Sequence, residues 1–487
     1  MSAILGIETK IFVEPTTPTT ATTHALVQGQ TPAQGFDFAT DIGASERFAA
    51  AHAQDLRYAP GLGWLHWDGR RWATDAEGRA IELSKKSARA WTLKFVHAGS
   101  TDKAKAALTL EGSAHVKAAV ELARVDPMLV VSVSKLDLDP WALNVMNGTI
   151  NLRTGELRPH RREDLCTKLA PVTYDPAAMS DHLRRFIANC ERSTAGMGGF
   201  LARCFGCALT GDAEAESLFL LQGEGGSGKT TLAEAVASML GDYTAKLQFE
   251  SFCLSKHGRS PGAASSDLMR LRGSRLAYAS EGDQSAKLDA GMVKMLTGNE
   301  PVTARNVYAA PITFPQTWKL WLVSNYDPKA DSEDSGIWRR MIKLNFTAIP
   351  AADRDPVIKR MLTTDAATQS ALLAWAVAGC LDWQKRGGGR IGLAPPDAVL
   401  AATEAYRVKQ DTMAQWWDDL LANDAKLDRY GKATRKEVRE HYESWCDENG
   451  AAPVFVKRFI AYLEGKGLQI GRTADGARGW LGLDMNA

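Results

Sequence analysis

The stretch that most constrains this chain of 487 residues is Gly223-Glu224-Gly225-Gly226-Ser227-Gly228-Lys229-Thr230. It follows the apolar run Leu218-Phe219-Leu220-Leu221 and opens a segment, Thr231 to Leu240, whose apolar spacing is helical and which stops at Gly241. Strand, glycine loop and helix in that order form a phosphate cradle. The glycines let successive backbone N–H groups turn inward, and the helix start adds its positive end. Gly223 through Thr231 are therefore expected to bind a nucleotide, with Lys229 reaching the β- and γ-phosphates and the Thr230 hydroxyl completing a Mg²⁺ shell. A bare glycine turn would leave Lys229-Thr230 unexplained.

Two further apolar runs end in polar residues of the kind this chemistry needs. Arg275 to Ala279 leads into Ser280-Glu281-Gly282-Asp283, where an acid at a strand's carboxyl end can polarise water and help hold the metal. Glu281 is the expected catalytic acid, and Asp283 joins Thr230 and Glu281 as an expected metal ligand. Lys319 to Ser324 leads into Asn325, an amide suited to positioning the attacking water. Arg339-Arg340 then precede Met341 to Leu344, where a cation would stabilise transition-state charge on a neighbouring subunit's nucleotide.

Charge excludes little: 58 Lys and Arg stand against 57 Asp and Glu, so any nucleic-acid binding must come from local patches. Seven cysteines without framework spacing point to a reducing compartment. Cys204-x-x-Cys207 has half of a zinc spacing but sits in an apolar helical pattern, and it reads as buried thiols. With no secretory leader pattern and no membrane-length apolar run, the expected location is the cytoplasm, with no membrane partner. Asp137 and Asp139, followed at once by Pro140, read as a loop and not as a two-metal polymerase pair.

In chain order, residues 1–36 are rich in Thr and Pro and are expected to be a disordered tail. A mixed α+β region is expected over 37–195: a helix beginning at Thr40-Asp41 and carrying Phe48, His52 and Leu56, a hairpin turning at Asp68-Gly69 within the Trp64 to Trp72 cluster, helices from Ile81 to Ala123, and hairpins around Asn147-Gly148 and Thr154-Gly155. The nucleotide-binding α/β core is assigned to 196–350, with a mobile loop from Ser255 to Ser266, and a helical lid or linker to 351–410. Over 411–487, helices from Ala433 to Glu448 and Val454 to Lys466 precede a hairpin turning at Asp475-Gly476, the pattern of a winged-helix domain. Lys457 and Arg458, with Arg472 and Arg478, would suit DNA phosphates there, and a protein-docking wing fits the same pattern.

Four segments in fixed order, the P-loop, "RLAYASEGD", "VKMLTGNEPVTARNVYAAPITFPQTWKLWLVSN" and "SGIWRRM", resemble the phage and poxvirus primase-helicase family within the superfamily 3 helicases. The likeness extends to "LNVMNGTINLRTGELRPH" upstream and "ATEAYRVKQDTM" downstream. It implies an α/β P-loop ATPase core of AAA+ type, assembled as a hexameric ring that draws single-stranded or forked DNA through its channel with ATP and Mg²⁺. It also implies roles for particular residues. Lys229 and Thr230 match the Walker A pair, Glu281 with Asp283 the Walker B acids, Asn325 the sensor, and Arg340, with Arg339 beside it, the arginine finger. Lys294 and Arg305 match the segment that approaches DNA. Family members often carry a primase domain in front, and here only the Thr/Pro-rich tail stands there, so the expected activity is a replicative helicase of a phage, prophage or plasmid in a bacterial host cell, served by a separate primase or initiator. Two other readings remain open from the residues: a P-loop small-molecule kinase, and an ATP-driven switch or loader that binds DNA without unwinding it.

Overall fold

Thr40 accepts a hydrogen bond from the Gly43 amide and so starts α1 (Asp41–His52). The structure, a computed structural model, describes residues 39–192, 194–254, 266–280, 287–305, 311–332, 334–449, 451, 453–472 and 476–485. The tail over 1–36, most of the expected mobile loop, and both Glu281 and Asp283 lie outside the described residues. After α1, strands β1 (Leu56–Ala59), β2 (Gly63–Trp67) and β3 (Trp72–Thr74) form an antiparallel meander. Asp68 Oδ1 accepts from the Arg70 and Arg71 amides, which closes the β2–β3 turn. Leu56, expected on the first helix, sits instead in β1. The helical region comprises α2 (Arg79–His97), α3 (Thr101–Thr109) and α4 (Ser113–Leu122), which bury Phe48, Ala80 and Val120 against Leu129. A second meander, β4 (Ala142–Val145), β5 (Gly148–Asn151) and β6 (Glu156–Arg158), follows.

Helices α5 (Asp181–Glu191) and α6 (Met197–Leu209) lead into the core. Strands β7 (Leu218–Gly223), β8 (Thr244–Lys246), β9 (Leu276–Ser280), β12 (Lys319–Ser324) and β13 (Met341–Phe346) form one parallel sheet in the order β13-β7-β12-β9-β8; β10 (Val302–Ala304) and β11 (Ile312–Phe314) form a separate antiparallel pair. Continuous apolar runs such as Leu218 to Leu221 suit strands covered on both faces, and all four of these leucine and phenylalanine side chains are fully buried. Helix α7 (Lys229–Leu240) follows β7, α8 (Ser266–Met269) precedes β9, α9 (Ala290–Thr297) precedes the β10–β11 pair, and α10 (Ser335–Trp338) precedes β13. Then come α11 (Ile358–Thr364), α12 (Ala366–Lys385) and α13 (Asp397–Gln410). Helices α6 and α12 cross at backbone contact: a Cβ built on Gly206 would strike the Cys380 backbone, and one on Gly379 would strike the Ala202 carbonyl.

The first region is clamped to this core by Arg275, which begins the β9 run and is 2% exposed. Its guanidinium donates to the carbonyls of Pro140, Asp139 and Ala142 at 2.8, 3.2 and 3.4 Å. The last region consists of α14 (Thr412–Asn423), β14 (Lys426–Thr434), α15 (Arg435–Glu448), α16 (Val456–Gly465), β15 (Gln469–Arg472) and β16 (Arg478–Asp484), with sheet order β14-β16-β15. Trp416, Tyr442, Phe459 and Trp480 fill its own core. Strand β14 was not expected: a register shift between Leu427 and Lys432 breaks the alternation that would have marked it.

Candidate nucleotide site and nucleic-acid interface

Sheet order sets the site. Because β12 lies between β7 and β9, the residue after β12 emerges beside the glycine loop that follows β7. Parallel register puts Ser324 opposite Gln222, so Asn325 stands level with Gly223. The Lys229 ammonium donates to Asn325 Oδ1 at 2.7 Å and to the Glu224 carbonyl at 3.1 Å. Lys229 is 5% exposed, and that burial lowers its pKa below the ordinary lysine value. The cleft around it holds about 320 Å³ and is lined by Gly225 to Thr231, Ser280, and Val323 to Asn325.

The loop's shape depends on glycine at Gly226 (φ +80) and Gly228 (φ +87), a region where side-chain-bearing residues are strained. Ser227 Oγ is buried without a hydrogen-bond partner among the described residues. A buried hydroxyl left unpaired costs free energy, so an oxygen-rich ligand in the cleft fits the loop. The residues expected to bind phosphate, Gly223, Glu224, Gly225, Gly226, Ser227, Gly228, Lys229, Thr230 and Thr231, thus lie in one place together with Asn325, whereas Glu281 and Asp283, one to three residues past the end of β9, lie outside the described residues. Sequence reasoning missed two neighbours of this loop. The Arg354 guanidinium lies where a Cβ on Gly226 would meet it at 2.8 Å, and the Phe186 ring would meet one on Gly228 at 3.3 Å. Separations of 128 and 42 residues in sequence carry no periodic signal that would have paired them.

The two arginines expected as a finger part company. Arg340, 5% exposed, donates to Glu216 Oε2 at 3.0 Å and to the Gly336 carbonyl at 3.0 Å. The Arg339 side chain is 66% exposed, with its guanidinium 3.8 Å from Glu216. Met341 pairs with Leu218 at the start of β7, so both arginines lie at the opposite edge of the sheet from the glycine loop, a strand length of about 20 Å away. As placed, Arg340 is buried and held within its own chain by Glu216 and the Gly336 carbonyl. The exposed one is Arg339.

Among the expected DNA contacts, Lys294 donates to Asp334 Oδ2 at 2.7 Å, and Asp334 also caps α10 through the Ile337 amide. Hydrogen bonding from Lys294 is the main reason the Asp334 carboxyl is held below the usual range. Lys294 therefore fastens the Arg339-bearing segment to α9. Arg305 is exposed at the end of β10. Lys457 is exposed in the first turn of α16, whereas Arg458 lies 3.6 Å from Asp331 of the core, which makes it a contact between regions. Cys204 and Cys207 are fully buried on α6; burial pushes the Cys207 thiol up to about 11, and no metal-holding cluster of His, Cys, Asp or Glu occurs among the described residues. Nor is any described helix long and apolar enough to cross a membrane.

Comparison with known proteins matches residues 45–192 to the family described as "D5 N terminal like" and residues 221–340 to a family of unknown function, DUF5906. The mimivirus helicase candidate L207/L206 is 26% identical over 328 residues, which cover 63% of this chain and 34% of that protein. The African swine fever virus primase candidate C962R is 26% identical over 347 residues, covering 68% and 35%. The chain is thus similar to viral proteins named as helicase and primase candidates. The helicase candidate 022R of Frog virus 3 is 25% identical over 374 residues, and the chain matches only about a third of the length of these relatives. Among solved structures, the apo C-terminal region of NrS-1 aligns with a TM-score of 0.40 at 12% identity, covering 64% of this chain and 77% of that one.

Proposed function

We propose that this chain belongs to the primase-helicase family and is an ATP- and Mg²⁺-dependent DNA helicase motor that works as a ring, six-membered by family likeness, on single-stranded or forked DNA in replication. The observation that carries the reading is the cleft in which Lys229, the glycine loop and Asn325 converge. The winged-helix and AAA+ assignments made from sequence are part of the same proposal, supported by the α14–β16 arrangement and by the parallel five-stranded sheet.

In this reading the loop amides and Lys229 hold the phosphates, and Thr230 holds the metal with Glu281 and Asp283. A bound Mg²⁺ would supply neutralisation of phosphate charge there. Lys229 must leave Asn325 to serve them, which frees the amide to orient water. Glu281 takes the water's proton. Arg339, exposed at the far edge of the sheet, is the arginine available to a neighbouring subunit, and the role assigned to Arg340 passes to it. Arg305, Lys457, Lys294 and Arg458 are the proposed DNA contacts, and Lys294 and Arg458 would each have to leave an acidic residue to serve.

Strand displacement on a tailed duplex tests the proposal, run with ATP and with a non-hydrolysable analogue. Unwinding with ATP alone is expected. Robust DNA-stimulated hydrolysis without any unwinding would replace the helicase by a loader or switch, and phosphate transfer to a small molecule would replace it by a kinase.

A further inference from the structure

We propose that the helical module of the first region is a second contact for single-stranded nucleic acid, seating one unpaired nucleotide in the pocket between α1, α2 and α4. Between Arg79 and Leu122 the chain carries eight Lys and Arg against four Asp and Glu, in a protein that is otherwise balanced. Such a local excess attracts a polyanion. The pocket holds about 300 Å³ and is open to solvent; Phe48 and Val116 are among its apolar walls, and Arg47, Trp91 and Lys94 also line it. Arg47 lies 4.0 Å over the Trp91 ring and Lys94 4.7 Å over it, and Lys94 also sits 5.6 Å over Phe95.

These contacts differ from those of Lys85 and Arg89 on α2. Lys85 and Arg89 are paired with Glu82 and Glu111 at 2.7 Å each, so much of their charge is already answered. A ring orients a cation without neutralising it, and the exposed Lys94 keeps its charge for a phosphate. An apolar pocket edged by indole and cations matches a nucleotide: base inside, phosphate at the rim. Bases in a duplex are stacked and paired, so only a single strand can offer one. Location fits as well. The β1–β2 turn of the same region reaches the β10–β11 pair, since a Cβ on Gly61 would lie 3.0 Å from Ile312, next to the strands proposed to meet DNA.

The test uses the full chain without nucleotide, so that it does not depend on the ATP reading, and in an Arg305→Ala background so that the hairpin contributes less. Binding of a fluorescein-labelled oligothymidylate is followed by anisotropy across a salt series. Lys94→Glu is expected to weaken binding about tenfold and to flatten the salt slope by about one. Trp91→Leu should weaken it about fivefold or more with the slope unchanged. If Trp91→Leu fails to fold, a 4-thiothymidine oligonucleotide cross-linked to the parent protein replaces it, with adducts expected in the Arg79–His97 peptide. Unchanged affinity and slope in Lys94→Glu, adducts confined to the core, equal binding of blunt duplex, or competition by polyglutamate as strong as by DNA would each overturn the proposal, the last in favour of an acidic protein partner.

Discussion

At the scale of single residues, two parts of the candidate nucleotide cleft already hold each other. Lys229 is bonded to the Asn325 amide, so in the proposed mechanism the two restrain each other until phosphate separates them. Lys229→Ala is expected to lose ATP binding and turnover together, because the charge it removes acts on ground state and transition state alike. Asn325→Ala should separate the two: nucleotide binding holds or tightens, since Lys229 no longer has a competing acceptor, while turnover falls by about 10² or more. Calorimetric titration beside a phosphate-release assay decides this, and equal loss of binding in both variants would remove Asn325 from the chemistry. The neighbouring arginines divide in the same way. Arg340→Ala breaks a buried contact with Glu216 and should destabilise the fold by about 2 kcal/mol in urea unfolding, whereas Arg339→Ala should leave the unfolding midpoint unchanged.

Elements were legible in the sequence wherever one strong local signal governed them. The glycine loop, the helix after it and the Asp68-Gly69 turn are set by neighbours in the chain, and they lie where periodicity and turn chemistry put them. The helical pattern read from Ile81 to Ala123 resolves into three helices, as Gly99 (φ +67) ends one and Gly112 precedes another. Strand β14 escaped notice because its bulge hides the period of two. Pairings over long separations, such as Glu216 with Arg340 and Arg354 with Gly226, left no trace in spacing at all. The α6–α12 crossing belongs to this class: Gly206 and Gly379 look like helix-weakening residues in sequence, yet each marks a place where two backbones touch. Gly379→Ala, which ordinary helix propensity would favour, is therefore expected to destabilise by about 2 kcal/mol or more through overpacking. Thermal unfolding would show it, and a stabilised variant would mean the helices can move apart without cost.

For the whole molecule, the distance between the glycine loop and Arg339 turns a question of chemistry into one of assembly. Both lie on the same sheet, but at opposite edges along the strands, and a guanidinium stabilises transferring phosphate only in contact with it. If Arg339 serves catalysis, it does so on a neighbouring copy, and a lone chain should bind ATP while hardly hydrolysing it. Lys294 ties into the same segment through Asp334, so DNA that draws Lys294 away would also loosen the α10 cap beside Arg339. The decisive experiment mixes two defective proteins. Arg339→Ala retains an intact cradle and Lys229→Ala retains an intact finger, so mixed rings contain some interfaces where both are sound. An arginine supplied in trans contributes on the order of 10³-fold or more in comparable phosphoryl transfers, and recovery on mixing should stand well above either protein alone. Mixing Arg340→Ala with Lys229→Ala should restore less than its Arg339 counterpart, because Arg340 acts within its own subunit. If the Arg339 mixture stays as inactive as its components while rings still form, the finger lies elsewhere and the shared-site mechanism loses its physical basis.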